Sequence, residues 1–369
     1  MKRTVPRAPR ARPSPGTIVT RLPVLTVPAA FLLSATVGPL APGSGFSAPS
    51  DTGIAVTHAP LVRGHWAVTE DSVRIWYETE GEGVPIFLVP GGPGGSHHTF
   101  HLTHHVLARC GQLVYIDNRG RGSSERGHGA EPYSLENDVR DLEAVRLALG
   151  AERIAVYGRS YGGMVALGYA LAHPGRVQAL VVSNTLDGAS SWQEYNIDGV
   201  KRFLKTHYPD RWDEIQRRRG AGLRSSDDTL ATLFFPLGEL YNFSPSSDSL
   251  FRAQTRPFRD PAAASHNPDV YAAMVGLDPE WVIDGTLGRV ELVDRIGALE
   301  LPVLVLAGRY DRITPPVVQR KISQAIPGAR LVVFERSGHR PEFEEASRWS
   351  RVVTEFLSGH LSLPNEGSQ

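Results

Sequence analysis

"AVYGRSYGGMVALGYA", Ala155 to Ala170, sets a short apolar run against a glycine-flanked serine and then a stretch of helical period. Gly158-Arg159-Ser160-Tyr161-Gly162 is a G-x-S-x-G. Its place between a strand and a helix predicts a sharp turn that projects Ser160 from the helix N-terminus. The flanking glycines let that turn tighten. A serine hydroxyl is a weak nucleophile by itself, so the motif requires a base elsewhere in the chain and an acid to orient it.

Working outward, similar apolar runs recur: "PIFLV" (85–89), "QLVYI" (112–116), "RIAVY" (153–157), "ALVVS" (179–183), "PVLVLA" (302–307) and "ARLVVF" (329–334). They are short and do not alternate, which is the pattern of strands buried on both faces of a parallel sheet. Helical periods lie between them, including "SLENDVRDLEAVRLALG", which opens on a Ser-x-x-Asn cap and closes at Gly150. "WAVTEDSVRIWYETEGEG" alternates instead, and predicts an antiparallel hairpin at a sheet edge. Strand–helix alternation over this length gives the class: α/β, with a mostly parallel, doubly wound sheet.

The alternation stops at about residue 188 and resumes at about 295. The stretch between is rich in aromatic residues, Arg and Pro and has no core-strand run. We read 60–187 and 296–360 as the two parts of one core, 188–295 as an inserted helical cap, and 361–369 as a tail. Ligands in open α/β sheets bind outside the carboxyl ends of the strands, so a cap entering there becomes a lid.

Residues 1–50 differ from the rest. A basic start, "MKRTVPRAPRAR", precedes "LPVLTVPAAFLLSATVGPLA" and then small residues, an order that matches a secretory signal peptide. Pro23, Pro28 and Pro39 argue against a lasting membrane span. The alternatives are a disordered leader or an extension that is not normally translated. The expected location is therefore secreted or periplasmic if the leader directs export, and cytoplasmic otherwise. With 39 basic and 39 acidic residues the chain has no basic excess for a phosphate backbone, so no nucleic-acid partner is expected. Cys110 is the single cysteine and reads as a small core residue, which excludes an internal disulfide.

Two loops supply the partners that Ser160 needs. "VLVLAGRYDRITP" puts Asp311 just past one strand, and "VVFERSGHRPEF" puts His339 just past the next, at the sheet edge Ser160 occupies. Asp187 is the rival acid; Asp284 and Asp294, in or near the insertion, fit less well. "VPGGPGGS" (89–96) spends four glycines and two prolines directly after an apolar run. Bare backbone N–H groups must face a reacting carbonyl, and Gly92 and Tyr161 are the expected oxyanion donors.

"GGPGG", "DNRGRGSS", "GRSYGG", "GRYD" and "SGH", in that order, resemble the proline iminopeptidase group of α/β-hydrolases, which includes tricorn-interacting aminopeptidases. The resemblance spans about 60 to 358. It implies an α/β-hydrolase fold with a triad of Ser160, Asp311 and His339, oxyanion donors Gly92 and Tyr161, and a structural turn at Asp117–Gly122. The family also holds the substrate amine with carboxylates, one of them in a cap motif that "GLDPEWVIDGTL" resembles, which implies Glu280. A second carboxylate usually follows the catalytic acid; here Arg312 stands there, and a cation beside an ammonium site repels it. Pro90 likewise replaces the family's usual histidine.

"SHHTFHLTHH" offers His97, His101 and His105 at helical spacing, but with no nearby carboxylate pattern no metal is expected. His97 is placed behind the oxyanion loop as a cleft residue, and Trp281 among the cap aromatics that wall a pocket. The resulting expectation is a cofactor-free serine hydrolase acting through an acyl-enzyme on a small molecule or short peptide, releasing an N-terminal residue, proline by resemblance. The alternatives are an esterase, lactonase or amidase on a small apolar acyl compound, or a ligand-binding protein on a hydrolase scaffold.

Overall fold

Trp66 and the alternating residues around it pair with the strand that follows them, and this hairpin closes one side of an eight-stranded sheet. The computed structural model describes residues 62–361, apart from 235–237 and 256–265. The predicted leader and all but the first residue of the tail lie outside those residues. The strands are β1 (Arg63–Val68), β2 (Arg74–Glu80), β3 (Pro85–Val89), β4 (Gln112–Ile116), β5 (Ile154–Arg159), β6 (Val177–Ser183), β7 (Val303–Gly308) and β8 (Arg330–Phe334). Their order is β1-β2-β4-β3-β5-β6-β7-β8, with β1–β2 and β2–β4 antiparallel and every other pair parallel.

Both faces of the parallel part are buried from β3 to β7, which is why those strands read as unbroken apolar runs, whereas the edge strand β8 is only partly covered. Successive side chains point to opposite faces. Phe87, Val89, Val114, Ile116, Val156 and Val182 join one apolar cluster, and Ile86, Leu88, Leu113, Tyr115, Tyr157 and Val181 the other. The helices Leu135–Ala148 and Tyr161–Ala172 cover the first face, and Ala346–His360 the second. Ser134 caps the helix Leu135–Ala148 by accepting from Asn137 N–H, as its spacing predicts.

The chain leaves the sheet after β6 and returns at β7. Gly188 pairs with Glu291 in an isolated bridge, and Leu292 N–H donates to the Asp187 carbonyl (2.9 Å), so the two ends of the insertion are stitched together. Between them the described elements are helical, including Asp198–His207, Pro209–Gly220 and Pro268–Val275. Val200, Leu204, Ile215, Leu230, Phe234 and Leu240 form a separate apolar cluster there. Among the described residues no helix is long and apolar enough to cross a membrane.

β3 lies between β4 and β5, so the loops after β3 and β5 emerge side by side. That is the switch point where open α/β sheets bind ligands. The glycine loop and Ser160 meet there.

Candidate active site

Ser160 joins β5 to the helix Tyr161–Ala172 with φ 55° and ψ −128°, a left-handed backbone that a non-glycine residue adopts only when its surroundings enforce it. Its N–H donates to the Ser183 carbonyl (2.9 Å), and its carbonyl accepts from Gly163 N–H (2.9 Å) and the Thr185 hydroxyl (2.7 Å). A Cβ on Gly162 would sit 2.1 Å from the Val89 carbonyl oxygen, so the motif's glycine is required for the helix to approach β3.

The loop after β3 presses on this turn. A Cβ on Gly91 would lie 2.8 Å from Ser160 Cβ, and Gly92 holds φ 137°. Arg121 pins the loop by donating from Nε to the Pro93 carbonyl (2.7 Å) while its Nη atoms bind Asp138 (2.6 and 2.9 Å). Tyr161 donates its hydroxyl to the same Asp138 (2.6 Å), which ties the loop and the serine turn to one buried acid. Gly92 and Tyr161 both line the cavity above Ser160, and among the described residues neither backbone N–H has a protein acceptor.

His339 Nδ1 meets Asp311 Oδ2 at 2.8 Å. Asp311 is enclosed by donors: Ile313 N–H (2.8 Å) and Thr314 N–H (2.9 Å) on Oδ1, and Asn184 Nδ2 and the Thr314 hydroxyl (2.7 Å each) on Oδ2. Burial opposes its charge, but His339 and these donors outweigh that and hold its pKa below the ordinary carboxylate value. His339 is itself held by its N–H on the Tyr241 carbonyl (2.6 Å). Asp311 rather than Asp187 therefore faces the histidine; Asp187 lies buried at the base of the insertion beside Lys321 (3.1 Å).

Ser160, His339 and Glu280 line one cavity of about 670 Å³ between the sheet edge and the insertion. Glu280 is 7% exposed, and among the described residues its Oε1 has no hydrogen-bond partner. Burial, with a smaller push from Asp278, raises its pKa to about 8. Arg312 does not line this cavity. Its guanidinium donates to the Glu239 carbonyl (2.6 Å) and stacks 5.0 Å from the Phe203 ring, so Arg312 is not the source of repulsion expected for a substrate cation.

Two expected pocket residues lie elsewhere. Trp281 faces the outer side of the insertion, between Arg219 (3.8 Å), Lys201 (4.5 Å) and the stacked Trp212 (6.0 Å); its flat faces take cations rather than ligand. His97 is 1% exposed beneath the glycine loop. Its ring lies between Asp117 Oδ1 (2.8 Å) and Glu78 Oε2 (3.3 Å), with His101 Nε2 on the same Glu78 oxygen (3.0 Å). Burial opposes charge on His97, but the two carboxylates push its pKa up to about 10. The sequence showed no carboxylate near these histidines because Glu78 arrives from β2. The three ligand atoms of Glu78, His97 and His101 lie within 4.8 Å of one another, a grouping that could hold a metal ion.

Sequence reasoning missed Asn184, Thr314, Arg121 and Arg340. Asn184 carried a usable signal: a polar residue just past β6, which the fold places in the left-handed region at φ 49°.

This arrangement is that of an α/β-hydrolase, and the chain belongs to that family: the alpha/beta hydrolase fold matches residues 84–346. Among its relatives, it is 27% identical to a proline iminopeptidase of Saccharolobus solfataricus over 78% of this chain and 89% of the relative. It is 28% identical to one of Lactobacillus delbrueckii subsp. bulgaricus over 82% and 98%. A crystal structure of a proline iminopeptidase of Mycobacterium smegmatis shares the fold with a TM-score of 0.67 at 24% identity, covering 81% of this chain and 98% of that one. The protein is a serine hydrolase similar to proline iminopeptidases.

Proposed function

We propose that the protein releases an N-terminal residue, proline by resemblance, from short peptides or amides through an acyl-enzyme. The observation that carries this reading is Glu280, a buried acid with no cation partner among the described residues, facing the same cavity as Ser160 and His339. A buried carboxylate is costly unless a cation meets it, and a substrate's free amine is such a cation.

In this reading Ser160 Oγ attacks the scissile carbonyl while His339 takes its proton. Asp311 orients the imidazole and stabilises the imidazolium. The Gly92 and Tyr161 N–H groups hold the oxyanion. The C–N bond breaks as His339 passes the proton to the leaving nitrogen, and water, deprotonated by His339, then releases the acyl group and restores Ser160.

The absence of a second carboxylate, where Arg312 stands, favours a second reading: an esterase, lactonase or amidase on a small apolar acyl group. Two substrates with one leaving group separate them, prolyl-2-naphthylamide and its N-acetyl form, each run on wild type and Glu280→Gln. Preference for the free amine that is lost in the variant supports the aminopeptidase. Equal rates, or turnover of simple esters only, overturn it. A ligand-binding role would show as no labelling of Ser160 by a fluorophosphonate in the folded protein.

A further inference from the structure

We infer that the cavity carries a carboxylate subsite on the leaving-group side of the scissile bond, built on Arg340, so that the preferred substrates are dipeptides with a free C-terminus. This rests on the aminopeptidase reading for the amine half of the substrate. The cation itself is independent of it.

Arg340 directly follows His339 and lines the cavity with Ser160. Its side chain is only 17% exposed. Nη1 is spent on Asp248 Oδ1 (3.1 Å) and Asn242 Oδ1 (3.4 Å). Nε and Nη2 have no acceptor among the described residues, although a guanidinium carries five donors in a fixed fork. The Phe251 ring, 4.2 Å from the guanidinium carbon, and Tyr241, at 5.7 Å, hold it in place. Burial and the neighbouring Arg159 both disfavour its charge and draw its pKa below the ordinary arginine value. Asp248 and the nearby Glu342 favour the charge but do not make up the difference, and Asp248 is shared with Arg252 (2.7 Å).

The chemistry fixes which end of a substrate meets this group. His339 must stand beside the leaving nitrogen in order to protonate it. The Tyr241 ring lies 5.8 Å from the His339 ring and 5.7 Å from the Arg340 guanidinium, so Arg340 stands on the side of the cavity where His339 meets the leaving nitrogen. In a dipeptide the α-carboxylate is two bonds beyond the nitrogen, and a guanidinium fork matches a carboxylate. The cavity thus offers an unpaired acid, Glu280, and an under-paired cation, Arg340, with Ser160 lining the same space. A zwitterionic dipeptide supplies the complement of both.

The test compares Pro-Gly with Pro-Gly-amide as a ratio of kcat/KM within each protein, for wild type, Arg340→Lys and Arg340→Gln. The expected wild-type ratio is roughly tenfold or more in favour of the free carboxylate, as a charge-assisted pair provides. It should shrink in Arg340→Lys and approach one in Arg340→Gln. A wild-type ratio of one or less overturns the subsite without any variant, and a ratio that survives in folded Arg340→Gln assigns the preference elsewhere and overturns it too. Should neither peptide be turned over, the aminopeptidase reading fails separately. The subsite is then read with 4-acetoxybenzoate against 4-acetoxybenzamide, whose leaving groups differ in the same charge. Preference for the benzoate supports it, and its absence overturns it.

Discussion

Asn184 donates its side-chain amide to Asp311 Oδ2 at 2.7 Å, the oxygen that also meets His339 at 2.8 Å. The two residues follow different strands, β6 and β7, and the bond between them fixes the acid that orients the histidine. Replacing Asn184 by Gly keeps the left-handed backbone and removes only the amide. Asp311 has a depressed folded pKa, so its ionised form contributes stability above the unfolded value, and that contribution is lost as pH falls through the folded pKa. With one donor gone the pKa rises, and the loss begins at higher pH. We expect kcat/KM to fall about tenfold and the acid-unfolding midpoint to move up. An unchanged midpoint would show that the amide does not hold Asp311.

Glu280 gives the opposite sign. Its pKa is raised to about 8 by burial, so between the ordinary value and 8 the folded state keeps a proton that the unfolded chain has released. Stability then falls with rising pH, by roughly 1.4 kcal/mol per pH unit across that window. Glu280→Gln carries no such proton. Its Tm should match wild type near pH 5 and exceed it increasingly towards pH 8, where the gap levels off. A gap that stays constant from pH 5 to 9 would refute the buried, unpaired acid.

Much of this was legible in the sequence, for identifiable reasons. Pro85–Val89 and Gln112–Ile116 match the predicted strands to the residue because burial on both faces leaves an apolar run with sharp ends. Ser160, Asp311 and His339 each stand just past a strand, and parallel strands bring such positions to one edge. Trp281 was misplaced because cap aromatics have no period that separates an inner from an outer face. His97 was misplaced because its partner Glu78 comes from a hairpin strand, a contact that only strand pairing creates. Arg312 was read as a cavity cation from its position beside Asp311; neighbours in a loop point different ways, and its side chain takes the Phe203 side.

His97 holds its proton between Asp117 and Glu78, with a folded pKa raised to about 10. That stabilisation is fully present below the unfolded value and is lost as pH rises through 10. His97→Gln leaves the buried Asp117 without its cation, while the partly buried Glu78 keeps His101, at a cost of about 3 kcal/mol. The loss of Tm relative to wild type should be largest at pH 6 and should shrink towards pH 10.5. Added Zn²⁺ that raises the wild-type Tm, and not that of the variant, would instead make Glu78, His97 and His101 a metal site.

The glycine loop provides the most local test of the oxyanion geometry. A Cβ on Gly91 would sit 2.8 Å from Ser160 Cβ and 3.1 Å from the Arg159 carbonyl oxygen, both on the rigid serine turn. The turn is locked by β5, β6 and the following helix, so in Gly91→Ala the loop must move instead. That motion carries Gly92 N–H away from Tyr161 N–H and breaks up the pair of donors. Losing one oxyanion donor costs about 10²–10³ in kcat. We expect kcat for prolyl-2-naphthylamide to fall by that order with KM little changed, because the donors act on the transition state and not on the bound amine. A fluorophosphonate should still label Ser160, at a rate reduced in proportion to kcat. If instead KM rose while kcat held, the loop would be shaping the pocket, and the oxyanion donors would have to be sought elsewhere.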